Sequence, residues 1–157
     1  MDTFPYEIRC AYGNEWQEAM GLAWKTFLKF ESKDYSLEGI KNFNDFITDH
    51  GLYQMFSIGE YQLFVAVDQG KIVGIVTLRN ATHISLLFVD EKYHKRGIAS
   101  KLLEYLKQYL ITEVGAYYLT VNSSPCAVGF YHKLGFKDLG PETTKDGILY
   151  TPMEKFL

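Results

Sequence analysis

The most constraining feature of this 157-residue sequence is an apolar run that leads, through a short polar turn, into a helical pattern. The run covers residues 84–89, with Ser85 as its one polar member, and its hydrophobicity predicts a strand that is buried on both faces. The turn ends in HKRG, so that the helical pattern begins at Gly97. Apolar residues then recur every fourth position, which is typical of a helix with one apolar stripe: Ile98, Leu102, Leu106 and Leu110.

The remaining segments predict an α+β protein. Two apolar, β-branched runs flank Asp68-Gln69-Gly70 and predict a hairpin. Helical patterns precede it at residues 14–30 and 36–47, with Asn14 and Ser36 as expected N-caps. A strand, a short helix and a final strand pair follow the helix that starts at Gly97. We therefore expect the order β-α-α-β-β-β-α-β-α-β-β, with a mixed, mostly antiparallel central sheet flanked by helices.

Net charge, apolar runs and cysteine spacing limit which partners the protein can have and in which compartment it acts. The net charge of −3 argues against nucleic acid as the main partner, since such proteins usually carry a basic surface. No apolar run approaches the roughly 20 residues of a membrane helix, and the N-terminus lacks a signal-peptide pattern. Cys10 and Cys126 show no metal or redox spacing. We therefore predict a cytoplasmic protein that has reduced thiols, binds no metal and does not act at a membrane.

The helix start at Gly97 has the properties of an anion-binding site. The first N–H groups of a helix lack internal partners, and the helix dipole adds roughly half a positive charge there. Gly97 allows close approach to the backbone, Ser100 offers a hydroxyl, and Lys95 and Arg96 add charge. The glycine patterns of a Walker P-loop and of a dinucleotide-binding fold are both missing. These residues alone support a phosphate site and an ordinary solvated helix start about equally.

Two segments resemble the acyl-coenzyme A signature of the GCN5-related N-acetyltransferase (GNAT) family. In the first, Val89 precedes HKRGIA, where the family has Gln/Arg-x-x-Gly-x-Gly/Ala. The second, LTVNSSPCAVGFYHKLGF, is similar to the family's strand, Asn and helix ending in aromatic-Tyr-x-x-x-Gly-Phe. The predicted element order also fits, so the resemblance covers residues 5–157 and implies a single domain with the GNAT fold. His94 departs from the pattern, because Gln or Arg is usual there.

The resemblance implies that acetyl-coenzyme A is a cosubstrate whose acetyl group passes directly to a primary amine in a ternary complex. Backbone N–H groups of residues 95–100 would hold the pyrophosphate, and residues 86–89 would pair with the pantetheine arm like an added strand. A backbone N–H near Phe88 would face the acetyl oxygen, and Asn122 would offer an amide. The implied cofactor-binding residues are Leu87, Phe88, Val89, His94, Lys95, Arg96, Gly97, Ile98, Ala99, Ser100 and Asn122.

Tyr131 is the implied general acid for the leaving thiolate. An unperturbed phenol has a pKa of about 10 and a thiol about 8.5, so at neutral pH the tyrosine holds a proton to give. The alternative is that Tyr131 only packs in the core. The general base stays open between His83, Glu31, Asp34 and water. An acetyl-enzyme on Cys126 is a further alternative, which we regard as less favoured than direct transfer.

The acceptor class also stays open. Residues 14–50 carry seven acidic and four basic side chains, which suits a cationic amine but also a solvated helical face. A small-molecule acceptor predicts a closed pocket under residues 30–50, whereas protein N-termini or lysines predict an open groove. A coenzyme A-binding regulatory module without turnover is the rival class. A homodimer is compatible with the sequence.

Overall fold

The structure, a computed structural model, describes residues 3–157. Its elements are β1 (Glu7–Cys10), α1 (Trp16–Phe30), α2 (Leu37–Ile47), α3 (His50–Ser57), β2 (Gln62–Asp68), β3 (Lys71–Arg79), β4 (His83–Val89), α4 (Ile98–Tyr109), β5 (Tyr118–Ser123), α5 (Val128–Lys133), β6 (Lys137–Asp138), β7 (Thr143–Lys145) and β8 (Ile148–Phe156). The sheet order is β1-β2-β3-β4-β5-β8-β6, and β7 pairs with β8. β4 and β5 run parallel and the other strand pairs run antiparallel, so the predicted α+β fold is confirmed.

Two apolar clusters cover the two faces of this sheet. On one face, α1 and α2 pack through residues such as Phe27 and Phe43 against Phe88 of β4. On the other face, α4 packs through its apolar stripe, including Leu102, and α5 contributes Tyr131. Strands covered on both faces need apolar side chains at successive positions. This explains the long, mostly apolar runs of β2 and β3.

β4 is less uniformly buried than its sequence predicts. Three of its side chains are buried and the alternate ones are only half-buried. The buried ones are Ile84, Leu86 and Phe88, and the half-buried ones include Ser85, Leu87 and Val89. Successive side chains of a strand point to opposite faces, so the alternation shows that β4 is covered less completely on the α4 face, and one edge of the strand is also uncovered.

The uncovered edge results from the divergence of β4 and β5. The two strands pair at two positions only, His83 with Thr120 and Ile84 with Val121. Within the described residues, 85–89 therefore have no strand partner on the β5 side. Their backbone groups face a gap between two parallel strands, close to the turn that leads into α4.

A bulge at Ser85 marks the point where β4 leaves its regular register with β3. A chain of hydrogen bonds fixes it. The Leu86 N–H donates to Thr77 Oγ1 at 2.9 Å, and the Tyr61 hydroxyl donates to Ser85 Oγ at 3.0 Å. The Thr77 and Tyr61 hydroxyls lie 2.8 Å apart, so Thr77 donates to Tyr61. Because Tyr61 and Thr77 are buried, this network holds the strand rigidly where the gap begins.

Some local predictions need correction. Ser36 caps α2 as expected, since its hydroxyl accepts the Gly39 N–H at 3.0 Å. The expected cap at Asn14 is wrong: a 3₁₀ turn precedes α1, and Glu15 accepts the Tyr12 N–H at 2.6 Å. Helix α3 and strand β7 were not predicted, because both are too short to show a clear period. No helix within residues 3–157 has the length and apolar character needed to cross a membrane.

Candidate active site

The turn before α4 presents a row of backbone N–H groups. Gly97 is the N-cap of α4 and has φ +80°, and Lys95 is also left-handed, with φ +62°. Lys101 is the first residue whose N–H joins the helical ladder, at 3.0 Å from the Gly97 carbonyl oxygen. The N–H groups of residues 98–100 therefore precede that ladder. Left-handed residues at alternate positions ahead of a helix form the kind of concavity that binds anions.

Gly97 is required for a reason beyond the missing Cβ. A Cβ built on it would meet no atom within 4 Å, so the space beside this backbone is open. Its φ of +80° is strained for any residue with a side chain, and more so for a β-branched one. The glycine thus sets the conformation of the turn and also leaves its N–H groups accessible.

The two other prominent side chains of this turn have partners inside the protein. The His94 Nε2–H donates to the Val89 carbonyl oxygen at 2.7 Å, and its ring lies 5.0 Å from that of Phe30. The Arg96 guanidinium donates to the Tyr6 hydroxyl at 2.9 Å. His94 therefore ties the turn to the end of β4, and Arg96 ties it to the N-terminal segment.

A cavity of about 660 Å³ is lined by β4, β5, α5 and the connection between α1 and α2. Four of the predicted site residues line it: Leu87, Phe88, Asn122 and Tyr131. Residues 94–100 do not line the cavity but form the turn at the end of β4. The predicted residues thus fall into two groups, joined by the open edge of β4.

Tyr131 is buried in the cavity wall. Among the residues that the structure describes, no hydrogen-bond partner is recorded for its hydroxyl. Burial raises the pKa of the Tyr131 phenol above its ordinary value, and the charges of Glu31 and Cys126 raise it further. The phenol therefore keeps its proton at neutral pH. Donation to a thiolate is more uphill than for a phenol of ordinary pKa, which corrects the expectation from the sequence.

Two of the three side chains considered as general bases line the cavity: Glu31 and His83. The His83 Nδ1 lies 2.8 Å from the Thr120 hydroxyl, and burial and the charge of Arg79 lower the pKa of its imidazole. Burial and the charge of Asp34 raise the pKa of Glu31 to about 7. Asp34 itself is not part of the cavity wall.

Cys126 lies outside the cavity wall. Its thiol is exposed, and the sulfur is 3.4 Å from the hydroxyl of Ser124. An acetyl-enzyme requires the nucleophile to face the thioester. This placement therefore gives the acetyl-enzyme alternative no support.

The turn between β7 and β8 rests on the start of α2. We call residues 143–150 the hairpin latch. The Ser36 N–H donates to the Gly147 carbonyl oxygen at 3.1 Å, and the Asn42 side-chain amide donates to the Asp146 carbonyl oxygen at 3.3 Å. These bonds join two segments that lie more than a hundred residues apart in the sequence.

Two glycines make this contact possible. A Cβ on Gly39 would lie 2.8 Å from the Gly147 carbonyl carbon and would overlap its oxygen. Tyr35 also forms a β-bridge with Ile148, which extends the contact along the connection between α1 and α2. The hairpin latch and the start of α2 thus form a continuous wall on one side of the cavity.

Several cavity residues gave no sequence signal. They come from β3, the α1–α2 connection, α2 and the hairpin latch, so only the fold brings them together. They include Tyr35, Asn42, Arg79, Lys145, Asp146 and Tyr150. Within residues 3–157 the structure contains no group of three or more His, Cys, Asp or Glu side chains placed to hold a metal ion.

Comparison with known proteins identifies the class. Residues 31–157 match the family model described as an acetyltransferase (GNAT) domain. The match covers well over half of the chain. The chain therefore belongs to the GNAT family, a family of acyltransferase enzymes.

Individual relatives agree with this assignment. The chain is 35% identical over 80 residues to the uncharacterised N-acetyltransferase YafP of Escherichia coli strain K12. That match covers 51% of this chain and 49% of the relative, so it spans about half the length of each.

Solved structures share the whole fold at low sequence identity. A GCN5-related N-acetyltransferase from Rhodopseudomonas palustris superposes with a TM-score of 0.83 and 24% identity, over 100% of this chain and 99% of that one. The PaiA N-acetyltransferase of Thermoplasma acidophilum was solved in complex with coenzyme A. It superposes with a TM-score of 0.79 and 17% identity, over 97% of this chain and 99% of that one. At this identity the likeness concerns the fold alone.

Proposed function

We propose that the protein is an N-acetyltransferase that transfers the acetyl group of acetyl-coenzyme A directly to a primary amine. The observation that carries this proposal is the divergence of β4 from β5. The gap between the two strands connects the accessible N–H groups before α4 with a cavity. Within residues 3–157, the Tyr131 hydroxyl in the wall of this cavity makes no hydrogen bond. An elongated substrate with phosphate at one end and a thioester at the other matches this arrangement.

The residues present fit coenzyme A as an elongated anionic ligand. The N–H groups of residues 95–100 would hold the pyrophosphate, and the open edge of residues 86–89 would pair with the pantetheine arm. Asn122, exposed at the cavity end of β5, would add an amide contact. His94 would act indirectly, since its bond to the Val89 carbonyl oxygen holds the turn in place.

Two groups would then serve the chemistry. A backbone N–H near Phe88 would stabilise the developing oxyanion, a contribution of about 3 kcal/mol in other enzymes. The Tyr131 hydroxyl would donate a hydrogen bond, and finally its proton, to the departing sulfur. A buried phenolate is costly, so the phenol must regain a proton quickly from the newly acetylated nitrogen.

The hairpin latch favours a small amine over a protein acceptor. It closes the cavity wall beside the connection between α1 and α2, where a protein acceptor would need an open groove. The carboxylates of Glu31 and Asp146 line the cavity and suit a cationic acceptor. Aromatic side chains of Tyr35 and Phe43 add apolar wall for its carbon skeleton.

We further propose that residues 5–157 act as one N-acetyltransferase domain, although the family match begins at residue 31. β1 lies at the edge of the sheet and pairs with β2, while α1 buries Ala19, Ala23 and Phe27 against it. The C-cap residue of α1, Glu31, also contributes to the cavity.

The test is release of free thiol from acetyl-coenzyme A in the presence of single amines. The panel contains n-butylamine, putrescine, spermidine, 2-phenylethylamine, free lysine and a lysine-containing peptide. We expect turnover with one or more of the small amines and little with the peptide. Stabilisation by acetyl-coenzyme A without turnover on any amine would indicate the regulatory module instead. Peptide turnover above that of every small amine would overturn the acceptor class.

A further inference from the structure

Glu31 is a carboxylate without a partner in the cavity wall. It is half-buried at the C-terminal end of α1, where its N–H donates to the Phe27 carbonyl oxygen at 2.9 Å. No hydrogen bond or ion pair of its side chain is recorded within residues 3–157. Two acids near the start of α1, by contrast, are paired: Glu15 binds Arg9 at 2.8 Å, and Glu18 accepts the Ile72 N–H at 2.9 Å.

The position of Glu31 is electrostatically unfavourable for an anion. The C-terminal end of a helix carries partial negative charge, so cations are preferred there. Burial and the nearby Asp34 add to this and raise the pKa of Glu31 to about 7. An unpaired carboxylate held in such surroundings costs stability, which points to a partner supplied by a ligand.

The charged and titratable groups around Glu31 come from several elements. Asp34 acts on Glu31 through its charge, and the charge of Glu31 in turn raises the pKa of the Tyr35 and Tyr131 phenols. Others line the cavity or lie beside it: Arg79, His83, Cys126, Lys145, Asp146 and Tyr150. Among the carboxylates of this group, Glu31 is the one whose charge affects the pKa of the Tyr131 phenol.

We propose that the Glu31 carboxylate binds the acceptor ammonium and takes its proton before the nitrogen attacks the thioester. The proposal rests on the function proposed above. The ammonium gives one proton to a carboxylate oxygen, and the neutral amine forms the new N–C bond to the acetyl carbonyl carbon. The C–S bond then breaks, and the sulfur takes the Tyr131 proton. The phenolate regains a proton from the acetylated nitrogen, and Glu31 releases its own proton to solvent.

Glu31 suits this role better than the other candidates. A carboxylate with a raised pKa accepts a proton more readily than an ordinary one, and it is still ionised above neutral pH. His83 has the opposite shift, because burial lowers its pKa, and one of its ring nitrogens is already 2.8 Å from Thr120 Oγ1. Asp34 lies outside the cavity wall, so it acts on Glu31 only through its charge.

The kinetic test is the pH dependence of kcat/KM in Glu31→Gln, which removes the charge and keeps the shape. The acceptor is n-butylamine or 2-phenylethylamine, whichever turns over faster. We expect the wild type to rise through about pH 7 and level off. In the variant, kcat/KM should be about 10²–10⁴-fold lower than in the wild type at pH 8. It should rise tenfold per pH unit without levelling off near pH 7, because it follows the fraction of free amine. Glu38→Gln, an exposed acid outside the cavity, should behave as wild type.

Asp34→Asn provides an independent check. Removing the neighbouring negative charge should move the break near pH 7 to lower pH without the large loss of rate. In ¹³C NMR of glutamate-labelled protein, one carboxyl resonance should titrate near pH 7. It should be missing in Glu31→Gln, and n-butylammonium should lower its midpoint in the wild type.

The outcomes separate the two proposals. Absence of turnover in the wild type overturns the proposed function, whereas an unchanged rate and pH profile in Glu31→Gln overturns the role of Glu31 alone. A raised KM with unchanged kcat and an unchanged break would make Glu31 a binding residue and overturn its role as base. Acetyl-coenzyme A should raise the melting temperature equally in wild type and Glu31→Gln, which checks that the variant is folded.

Discussion

At the scale of single residues, the predicted cofactor site depends most on Gly97. The sequence singles it out because a residue without Cβ allows close approach of a ligand. The structure adds a second requirement, its φ of +80°. A substitution there therefore changes both the conformation of the turn and access to its N–H groups, and a control must separate the two effects.

We expect Gly97→Val to abolish the rise in melting temperature that acetyl-coenzyme A produces in the wild type. At a hundredfold excess over Kd that ligand should stabilise the fold by about 2.7 kcal/mol. The matched control is Gly115→Val, because Gly115 also has positive φ, +74°, and open space beside it, but lies beyond the other end of α4. Both variants should lose about 1–2 kcal/mol through backbone strain. An equal ligand-induced shift in both would contradict the predicted phosphate site.

Tyr131 and Tyr35 are two cavity tyrosines with raised pKa, and only one of them is predicted to be the acid. Tyr131→Phe keeps the buried ring, so stability and the acetyl-coenzyme A shift should barely change. Turnover should fall about 10²–10⁴-fold, the usual contribution of general acid catalysis. Tyr35→Phe should have a much smaller effect on turnover. The reverse result would transfer the role of acid to Tyr35.

At the scale of elements, the hairpin latch is the feature that closes the side of the cavity where we propose that the amine binds. Its contact with α2 depends on two glycines: the helix pattern does not demand Gly39, whereas the positive φ of Gly147, +80°, already favours glycine in the turn. Gly39 lies in the first turn of a helix, where alanine would be the better helix former by about 1 kcal/mol. The cost of that glycine is offset by the close approach of Gly147.

We therefore expect Gly39→Ala to destabilise the protein in spite of its better helix propensity. Overpacking of this kind typically costs about 1–3 kcal/mol, and here it should displace the hairpin latch and raise KM for the amine. The control is Gly21→Ala in α1, where a Cβ meets nothing within 4 Å and where stability should rise by about 0.5–1 kcal/mol. Urea unfolding measures both. Equal stabilisation of the two variants would refute the latch contact.

At the scale of the whole molecule, we expect residues 5–157 to unfold as one unit. Both tryptophans, Trp16 and Trp24, lie on α1, outside the family match, so fluorescence reports on that helix and on the residues packed against it. Far-UV circular dichroism reports on all helices and strands. A single cooperative domain requires the same urea midpoint by both probes, and acetyl-coenzyme A should raise both together. Separate midpoints would show that α1 is not part of the same folding unit.

The sequence by itself determined the class of fold and indicated where an anion site is to be expected. Both depend on local patterns: the apolar stripe of α4, the glycine at its start, and the alternation of helix and strand patterns. It left the general base open between His83, Glu31, Asp34 and water, because the predicted central strand carries no carboxylate. Such patterns are legible because they involve residues within one or two turns of each other.

Only the tertiary structure decided which of these residues meet. The divergence of β4 from β5, the bulge held by Tyr61 and the hairpin latch all join segments distant in sequence. The choice of Glu31 over Asp34 likewise depends on which side chain lies in the cavity, and its raised pKa depends on burial. Burial and desolvation are properties of the packed chain, so no local pattern determines them.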